Sequence, residues 1–242
     1  MKKLNINNLK TIGITGASGA LGKALINKFK TKGFKVIGFT HNKCPEKIED
    51  VGPDKWIYWE CGKEFLLEKS LNEIDILILN HGIYSSISSQ NLEISIEINA
   101  LSKLKILNLF EKISSSISNS LGTREVWINT SEAEILPALN PNYEISKSLI
   151  GQSITFKRYF PTKNGPTKLI IKKIILGPFK SELNPIGIMS PAFVASSIYN
   201  LSKLRIYLII VSPNPLTYIL VVIREIYFLI YYLILKVFNK NY

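Results

Sequence analysis

The sequence predicts an α/β fold, a doubly wound parallel sheet of about seven strands that is followed by a C-terminal hydrophobic helix. Three observations lead to this prediction. Short apolar segments alternate with segments of helical periodicity, as in successive βαβ units. A glycine-rich turn at residues 15–22 joins the first strand to the first helix. Tyr143 and Lys147 lie four residues apart in a later helical segment, which places them on one face.

The first strand and helix enclose a turn of the kind that binds a dinucleotide. Residues 10–15 form an apolar strand, and apolar residues then recur at helical spacing up to Gly33. Gly16 allows the tight turn, Gly19 lets the backbone approach a pyrophosphate, and Gly22 lets helix and strand pack closely. The helix N-terminus offers N–H groups and a positive dipole end to the phosphates. A purely structural turn of small residues is the alternative. The predicted cofactor contacts are Thr15, Gly16, Ser18, Gly19, Leu21 and Gly22.

The end of the second strand favours NADP over NAD. Residues 34–39 form that strand and the segment THNK follows, with no carboxylate before Glu46. An NAD site usually places an Asp or Glu here for the ribose 2′-hydroxyl, whereas a basic residue suits a 2′-phosphate. We therefore expect Thr40 and Lys43 to contact the cofactor. His41 and Lys43 fit solvated loop residues equally well.

The remaining elements continue the alternation. Further strands are predicted at residues 55–59, 75–79, 126–129, 169–176 and 205–211. Helices are predicted at about residues 90–100 and 101–118, around Tyr143 to about residue 158, and after Ser190-Pro191. The fourth strand is apolar on both faces, which is typical of a parallel sheet covered by helices. Right-handed crossovers then complete the doubly wound sheet.

Tyr143 and Lys147 are a candidate acid/base pair. An ammonium beside a phenol stabilises the phenolate. Such a pair can give a proton to a carbonyl oxygen or take one from an alcohol. An ordinary surface pair is the alternative, and the preceding glycine turn favours the catalytic interpretation.

Taken together, these motifs resemble those of the short-chain dehydrogenase/reductase family. The turn at residues 15–22 is similar to the family's TGxxGxxG, LNHG at residues 79–82 is similar to its NNAG segment, and Tyr143 and Lys147 match its YxxxK. The resemblance covers about residues 10–212 and implies an NAD(P)-binding Rossmann domain that interconverts a carbonyl and an alcohol. It also implies cofactor contacts at Asn80, Gly82, Lys147 and Gly177.

The resemblance further implies a catalytic tetrad of Asn99, Ser131, Tyr143 and Lys147. Asn99 would hold a water that links Lys147 to solvent, and Lys147 would also hold the nicotinamide ribose. Ser131 lies at the edge where open α/β sheets bind ligands, and its hydroxyl would polarise the substrate oxygen. Thr130 is the alternate hydroxyl, and a turn cap is the alternative role for Ser131.

Some residues depart from the family pattern. Glu132 and Glu134 stand beside Ser131, where small residues are common, and the loop after the sixth strand reads Gly177-Pro178 instead of Pro-Gly. The two carboxylates are solvent-facing charges, groups that position a substrate, or groups that disfavour the Tyr143 phenolate. These departures keep a second function open, that of a non-catalytic nucleotide-binding, membrane-associated partner or regulatory subunit.

Four segments also resemble the dehydrogenase half of bifunctional sterol desaturase/short-chain dehydrogenase proteins: SEAEILPALNP, YEISK, ILGPFKSELNPIGIMSP and SPNPLTYIL. This resemblance implies a lipid-like substrate. The desaturase half of such proteins needs histidine clusters for a di-iron site, whereas this chain has only His41 and His81, so no desaturase activity is expected. The apolar loop at residues 179–189 suits a small hydrophobic alcohol or carbonyl compound, with closure of the core as the alternative.

Length and composition predict one nucleotide-binding domain over residues 1–212 and a hydrophobic segment over 213–242. Cys44 and Cys61 make no disulfide framework, and the sequence has no metal-ligand spacing. The N-terminus is charged and lacks an apolar signal segment. We therefore expect a cytoplasmic enzyme without a metal.

The net charge of +12 points to an anionic partner. Nucleic acid is disfavoured because no recognition motif is present. Residues 216–238 are almost wholly apolar and long enough to span a bilayer, but Arg224 and Glu225 interrupt the middle at a high cost in hydrocarbon. The segment either packs on the domain, forms a homo-oligomer contact, or lies on the cytoplasmic face of a membrane, and we favour lipid contact over a full span. Lys172 and Lys173 either complement such a surface or form solvated faces.

Overall fold

A computed structural model of the chain describes residues 10–41, 52–116, 123–159 and 169–238. The strands are β1 (Thr11–Thr15), β2 (Lys35–Thr40), β3 (Lys55–Tyr58), β4 (Ile76–Leu79), β5 (Arg124–Ser131), β6 (Leu169–Leu176) and β7 (Leu208–Val211). The α-helices are α1 (Ala20–Lys30), α2 (Glu68–Leu71), α3 (Ser89–Ile96), α4 (Ser102–Ser116), α5 (Pro141–Tyr159), α6 (Pro191–Ser202) and α7 (Pro215–Phe238).

All seven strands form one sheet in the order β3-β2-β1-β4-β5-β6-β7. Every neighbouring pair is parallel. The predicted doubly wound sheet is therefore confirmed. The strand order reverses between β1 and β4, which creates a crevice at the carboxyl ends of these strands, the place where such sheets bind ligands.

Helices cover both faces of the sheet and bury its apolar strands. On one face, α1 and α6 pack over β1, so that Phe29 and Ile12 share a core. On the other face, α4 and α5 place Phe110 and Ile150 against Leu77 of β4. Because β4 is covered on both sides, all four of its residues are buried. This explains its continuous apolar sequence.

Several boundaries differ from the sequence-based expectation. Strand β5 is longer than predicted, at Arg124–Ser131 instead of 126–129. The helices predicted at 90–100 and 101–118 form one continuous run, in which residues 97–101 make a π-helical turn between α3 and α4. Such a turn alters the register of a helix locally and is frequent at functional sites. Strand β7 begins at Leu208 instead of residue 205, because Arg205 has a left-handed φ of 54° that a strand does not allow.

Helix α7 lies against α5 and is held there by its two central charges. The Arg224 guanidinium donates to the Glu134 carbonyl oxygen at 3.2 Å and lies 3.6 Å from the Glu134 carboxylate. The Glu225 carboxylate accepts from Arg158 at 3.2 Å and from the Tyr159 hydroxyl at 3.0 Å. The charges that interrupt the apolar segment are therefore neutralised by the sheet domain.

A buried ion pair joins the end of β5 to β6. Glu134 Oε1 lies 2.7 Å from Lys173 Nζ, and their side chains are 0% and 1% exposed. Lys173 also donates to the Gly151 carbonyl at 3.0 Å and to Thr155 Oγ1 at 3.1 Å. Gly151 gives room for the carboxylate, since a Cβ there would lie 1.6 Å from Glu134 Oε2. Burial lowers the pKa of Lys173, although the charge of Glu134 opposes this effect.

The neighbouring lysine of β6 is buried too. Lys172 Nζ lies 2.8 Å from Glu125 Oε2 and also donates to the Ser202 carbonyl. The expectation that Lys172 and Lys173 form solvated faces or complement a membrane was therefore wrong. Each ammonium forms an ion pair with a carboxylate of the same domain that lies far from it in sequence.

Replacing Glu134 should destabilise the fold strongly. In Glu134→Ala the Lys173 ammonium stays buried without its counter-charge, so we expect the free energy of unfolding to fall by about 3–5 kcal/mol. Denaturant titration followed by circular dichroism measures this change. The control Glu93→Ala removes an exposed carboxylate of α3 and should stay within about 0.5 kcal/mol of wild type. Equal stability of Glu134→Ala and wild type would contradict this role of the pair.

Candidate active site

The glycine turn lies at the crevice between β1 and β4. Gly16 has a φ of 63°, a left-handed conformation that glycine adopts without steric cost. A Cβ on Gly16 would also lie 2.8 Å from the Cα of His81, so the turn packs directly on the segment that follows β4. The predicted tight turn is where the sequence placed it.

Gly19 and Gly22 have different surroundings. A Cβ on Gly22 would lie 2.2 Å from the Gly16 carbonyl oxygen and 2.7 Å from the Ala17 Cα, so helix and turn touch there. A Cβ on Gly19 would meet only the Gly16 oxygen, at 3.5 Å. The first turn of α1 has no side-chain cap and no acidic residue. Open space beside uncapped N–H groups fits the pyrophosphate of a dinucleotide. The side chain of Leu21, in the same turn, is buried in the core.

Thr15 connects the turn to the segment after β4. Its hydroxyl oxygen accepts from the Asn80 N–H at 2.9 Å and lies 2.7 Å from His81 Nδ1. Asn80 is fixed further by Asn129, whose amide donates to Asn80 Oδ1 at 2.9 Å. These bonds set the spacing of β1, β4 and β5 at their carboxyl ends.

The predicted nucleotide contacts at the end of β2 are only partly described. The Thr40 hydroxyl donates to Ser18 Oγ at 3.0 Å, which joins the end of β2 to the glycine turn. Thr40 therefore lies beside the turn, and its contact with the cofactor stays a prediction. Lys43 lies outside the described residues.

Asn99 holds three segments together from the π-helical turn. Its side chain is fully buried. The amide oxygen accepts from the Ile83 N–H at 2.9 Å, and the amide nitrogen donates to the Ile83 carbonyl at 3.0 Å and to Ser146 Oγ at 3.0 Å. The loop after β4 and helix α5 are thereby fixed to one side chain.

Lys147 and Tyr143 lie beside this amide. A Cβ on Gly82 would be 2.7 Å from Asn99 Oδ1 and 3.3 Å from Lys147 Nζ, so the missing side chain leaves space for both groups. Lys147 Nζ lies 5.1 Å from the centre of the Tyr143 ring. The ring of Tyr84 packs on the Tyr143 ring, with their centroids 5.2 Å apart. Three elements thus bring Gly82, Asn99, Tyr143 and Lys147 to one place.

Ser131 and Thr130 differ in where their hydroxyls lie. Thr130 is buried, and its hydroxyl donates to the Ile174 carbonyl of β6 at 3.2 Å. Ser131, the last residue of β5, is half-buried, and its oxygen accepts from the Ala133 N–H at 3.2 Å. A hydroxyl that accepts still has its proton to donate. The geometry therefore favours Ser131 over Thr130, even though Ser131 also caps the following turn.

The two glutamates next to Ser131 have structural partners. Glu132 Oε2 accepts from the Ser212 hydroxyl at 2.7 Å and the Thr217 hydroxyl at 2.8 Å, which fixes the start of α7. Glu134 pairs with Lys173 as described above. Of the alternatives raised by the sequence, the solvent-facing one is wrong for Glu134, whose side chain is fully buried.

Gly177 directly follows β6 and lies beside the start of α7. A Cβ there would lie 2.6 Å from Ser212 Oγ and 2.8 Å from the Pro213 ring. Close packing therefore accounts for a glycine at this position. Its contact with a cofactor stays a prediction. The nearby Pro178 carbonyl accepts from the Ile188 and Met189 N–H groups, which closes the loop 179–189 into a compact turn.

Sequence reasoning missed the buried bases beneath the site. Lys103 is fully buried and donates to the Asn129 carbonyl at 2.7 Å. Burial lowers the pKa of Lys103 well below its usual value, and the charge of Lys147 lowers it further. Burial and the charges of Lys103 and Lys147 likewise lower the pKa of His81, so its imidazole is neutral at neutral pH. The sequence feature that could have indicated Lys103 is its spacing, because it follows Asn99 by four residues in one continuous helical segment.

Comparison with known proteins finds a matching family and a relative of known name. Residues 12–148 match the profile of the NAD dependent epimerase/dehydratase family. The chain is 37% identical over 230 residues to monoglucosyldiacylglycerol epimerase of Synechocystis sp., an alignment that covers 92% of this chain and 54% of the relative. The chain thus spans about half the length of that relative. The sequence led us to expect a likeness to bifunctional sterol desaturase/short-chain dehydrogenase proteins. That expectation is corrected, because the relative found is an epimerase by name.

Solved structures share the fold. A short-chain dehydrogenase from Burkholderia cenocepacia in complex with NADP has a TM-score of 0.72 at 15% identity, with 87% of this chain and 90% of that chain covered. A short-chain dehydrogenase from Sphingobium yanoikuyae in complex with NADPH has a TM-score of 0.69 at 16% identity, with 84% and 87% covered. The predicted Rossmann architecture of the short-chain dehydrogenases is confirmed.

Alanine at Gly19 and at Gly22 should separate cofactor binding from folding. Gly19→Ala meets no close protein atom, so its thermal midpoint without cofactor should equal that of wild type, while its methyl group obstructs the pyrophosphate. We expect NADPH to bind it roughly tenfold or more weakly, a loss of about 1.4 kcal/mol. Gly22→Ala forces backbone atoms apart and should lose about 1–3 kcal/mol of folding stability as well as NADPH affinity. Isothermal titration calorimetry and thermal denaturation measure both. Wild-type affinity in Gly19→Ala would show that the phosphates do not approach this turn.

Proposed function

The chain belongs to the NAD-dependent epimerase/dehydratase family, and from this premise we propose that it is an NADP-dependent oxidoreductase that interconverts a carbonyl and an alcohol on a glycolipid, with epimerisation of the sugar ring as its net reaction. The observation that carries the proposal is the assembly of Gly82, Asn99, Tyr143 and Lys147 at the carboxyl edge of the sheet, beside an open glycine turn. A nicotinamide dinucleotide is the cofactor class that fits this turn.

The preference for NADP rests on the end of β2. The first carboxylate after this strand is Glu46, and the segment between them contains His41 and Lys43. Thr40 and His41 are the described residues at this strand end, and neither carries a negative charge that would repel a 2′-phosphate. The Thr40 hydroxyl, bonded to Ser18, adds a polar group at the same place.

Each residue of the site has a chemical task in this proposal. Tyr143 takes the proton of the sugar hydroxyl as the alcohol is oxidised and returns it when the ketone is reduced. Lys147 stabilises the phenolate between these steps. Ser131 donates to the substrate oxygen and holds it toward Tyr143. Asn99 is a positioning residue that keeps α5 and the loop after β4 in register.

The bound nicotinamide supplies the acceptance and the return of hydride. Oxidation removes one hydride and one proton from a carbinol and leaves a ketone. Tyr143 would return the proton to the ketone oxygen, and hydride from a bound nicotinamide would add to the opposite face of the carbonyl carbon, which gives the epimer with no net use of the cofactor and no outside oxidant. This balance distinguishes an epimerase from a dehydrogenase, which consumes its cofactor.

The lipid-like substrate is supported by the relative from Synechocystis sp. and by the loop after β6. Leu183, Ile186 and Ile188 of this loop are 51%, 90% and 72% exposed, so they do not close the core. Met189 alone of its large apolar residues is buried. An exposed apolar loop at the carboxyl end of β6 suits the acyl chains of a diacylglycerol.

The non-catalytic alternative has lost its main support. It depended on Glu132 and Glu134, which bind α7 and Lys173. It also depended on the Gly177-Pro178 order, and packing against Ser212 accounts for that glycine.

The proposal is tested with monoglucosyldiacylglycerol in detergent micelles and a trace of NADP. We expect the hexose released from the product to be an epimer of glucose, identified by chromatography, with no net change in NADPH absorbance.

Tyr143→Phe should lower turnover about 10²–10⁴-fold and leave NADPH affinity unchanged, since only the proton transfer is removed. Tyr199→Phe, on α6 and packed against Phe29, is the matched control and should turn over normally. Undiminished turnover in Tyr143→Phe would refute the mechanism. Formation of a ketone together with an equal amount of NADPH would show that the protein is a dehydrogenase and not an epimerase.

A further inference from the structure

Helix α7 has one face on the protein and another that nothing described covers. Toward the domain, Thr217 and Val221 are 0% and 1% exposed. Phe228 packs on Phe156 with ring centroids 5.5 Å apart. Outward, Ile219, Ile223 and Ile226 are 55%, 58% and 51% exposed, and they follow one another at helical spacing on one face. A contiguous apolar surface of this kind marks an interaction site.

We propose that this outer face of α7 docks on a lipid bilayer, with the helix lying along the membrane surface while it remains attached to the sheet domain. Among the described residues, α7 is the one helix that is long and apolar enough to cross a membrane, with a mean hydropathy of 2.0 and 6% of its most apolar window buried. Length and composition alone do not distinguish a helix that crosses the membrane from one that lies flat on it. The contacts of the charged residues of α7 distinguish the two.

The central charges hold α7 against the sheet domain. Arg224 bonds to Glu134, and Glu225 bonds to Arg158 and Tyr159. A crossing helix would have to break these bonds and take both charges into hydrocarbon. It would also leave Glu134 with less compensation in the interior. A helix that lies flat keeps every one of these contacts and places only its outer face in lipid.

The composition of the outer face suits lipid headgroups. Arg224 and Glu225 are both turned to the domain, and Lys236, the third charged residue of α7, is exposed near the C-terminal end. Tyr218, Tyr227 and Tyr231 are each more than a third exposed, and tyrosine favours the boundary between headgroups and acyl chains. With a net charge of +12, the whole chain is attracted to an anionic surface.

The position of α7 connects this face to the proposed active site. The first turn of α7 is bonded through Thr217 to Glu132, the residue after Ser131. The same helix packs on the C-terminal end of α5, the helix that carries Tyr143 and Lys147 near its start. A bilayer under α7 would therefore adjoin the crevice, and a lipid headgroup could reach the site while its acyl chains stay in the membrane. The choice of lipid over a second copy of this chain rests in part on the proposed glycolipid substrate.

Vesicle flotation of the full chain tests the proposal. Wild type should float with phosphatidylcholine vesicles, and more completely when phosphatidylglycerol is included. The triple variant Ile219→Gln, Ile223→Gln, Ile226→Gln should partition about a thousandfold less, since each Ile that enters the bilayer contributes roughly tenfold. The control triple Phe65→Gln, Leu66→Gln, Leu204→Gln removes side chains that are 68%, 62% and 63% exposed elsewhere and should float as wild type does.

Three outcomes overturn the proposal. Wild type that stays in the aqueous phase with both vesicles does so directly. Equal loss of flotation in both triples would show that α7 has no special part in binding. A dimer in analytical ultracentrifugation that the α7 triple dissociates, together with absent flotation, would assign the face to a second copy. Flotation without any epimerisation in micelles would refute the proposed function and leave the docking surface standing, whereas epimerisation without flotation would do the reverse.

Discussion

The Glu134 carboxylate lies at the junction of β5, α5, β6 and α7, and its burial constrains all four elements. Lys173 supplies the counter-charge from β6, Gly151 supplies the space on α5, and Arg224 supplies a second cation from α7. A buried carboxylate is tolerated only when such partners are in place. The end of β5, which presents Ser131, and the helix that presents Tyr143 are therefore fixed by one polar cluster that takes no part in the chemistry.

A second polar cluster does the corresponding work at the crevice. Asn99 joins the loop after β4 to α5, and Thr15 joins that loop to the glycine turn. Both side chains are buried, so their hydrogen bonds are not exchanged for bonds to water. The result is a rigid frame in which Lys147 lies beside Gly82, with the open glycine turn across the same crevice. Such preorganisation is what a proton transfer coupled to hydride movement requires.

The sequence predicted the parts of this arrangement that depend on local pattern. Gly16, Gly22, Tyr143 and Lys147 lie where their spacing placed them, because turn geometry and helical periodicity act over a few residues. The partners of Glu134 lie in three different elements, and no local sequence pattern indicates them. Lys172 and Lys173 look like surface residues in the sequence for the same reason. The sequence did not distinguish the outward face of α7 from the inward one, because the helix is apolar on all sides except at Arg224, Glu225 and Lys236.

The central claim is that this crevice binds NADP(H) for redox chemistry, and titration of the purified chain with NADPH and with NADH tests it most directly. Trp59 packs against His81 at a centroid distance of 5.2 Å, so energy transfer from tryptophan to the reduced nicotinamide reports binding near the site. We predict saturable binding of NADPH at lower concentration than NADH. Binding of neither nucleotide would contradict the claim and leave a Rossmann fold without its chemistry.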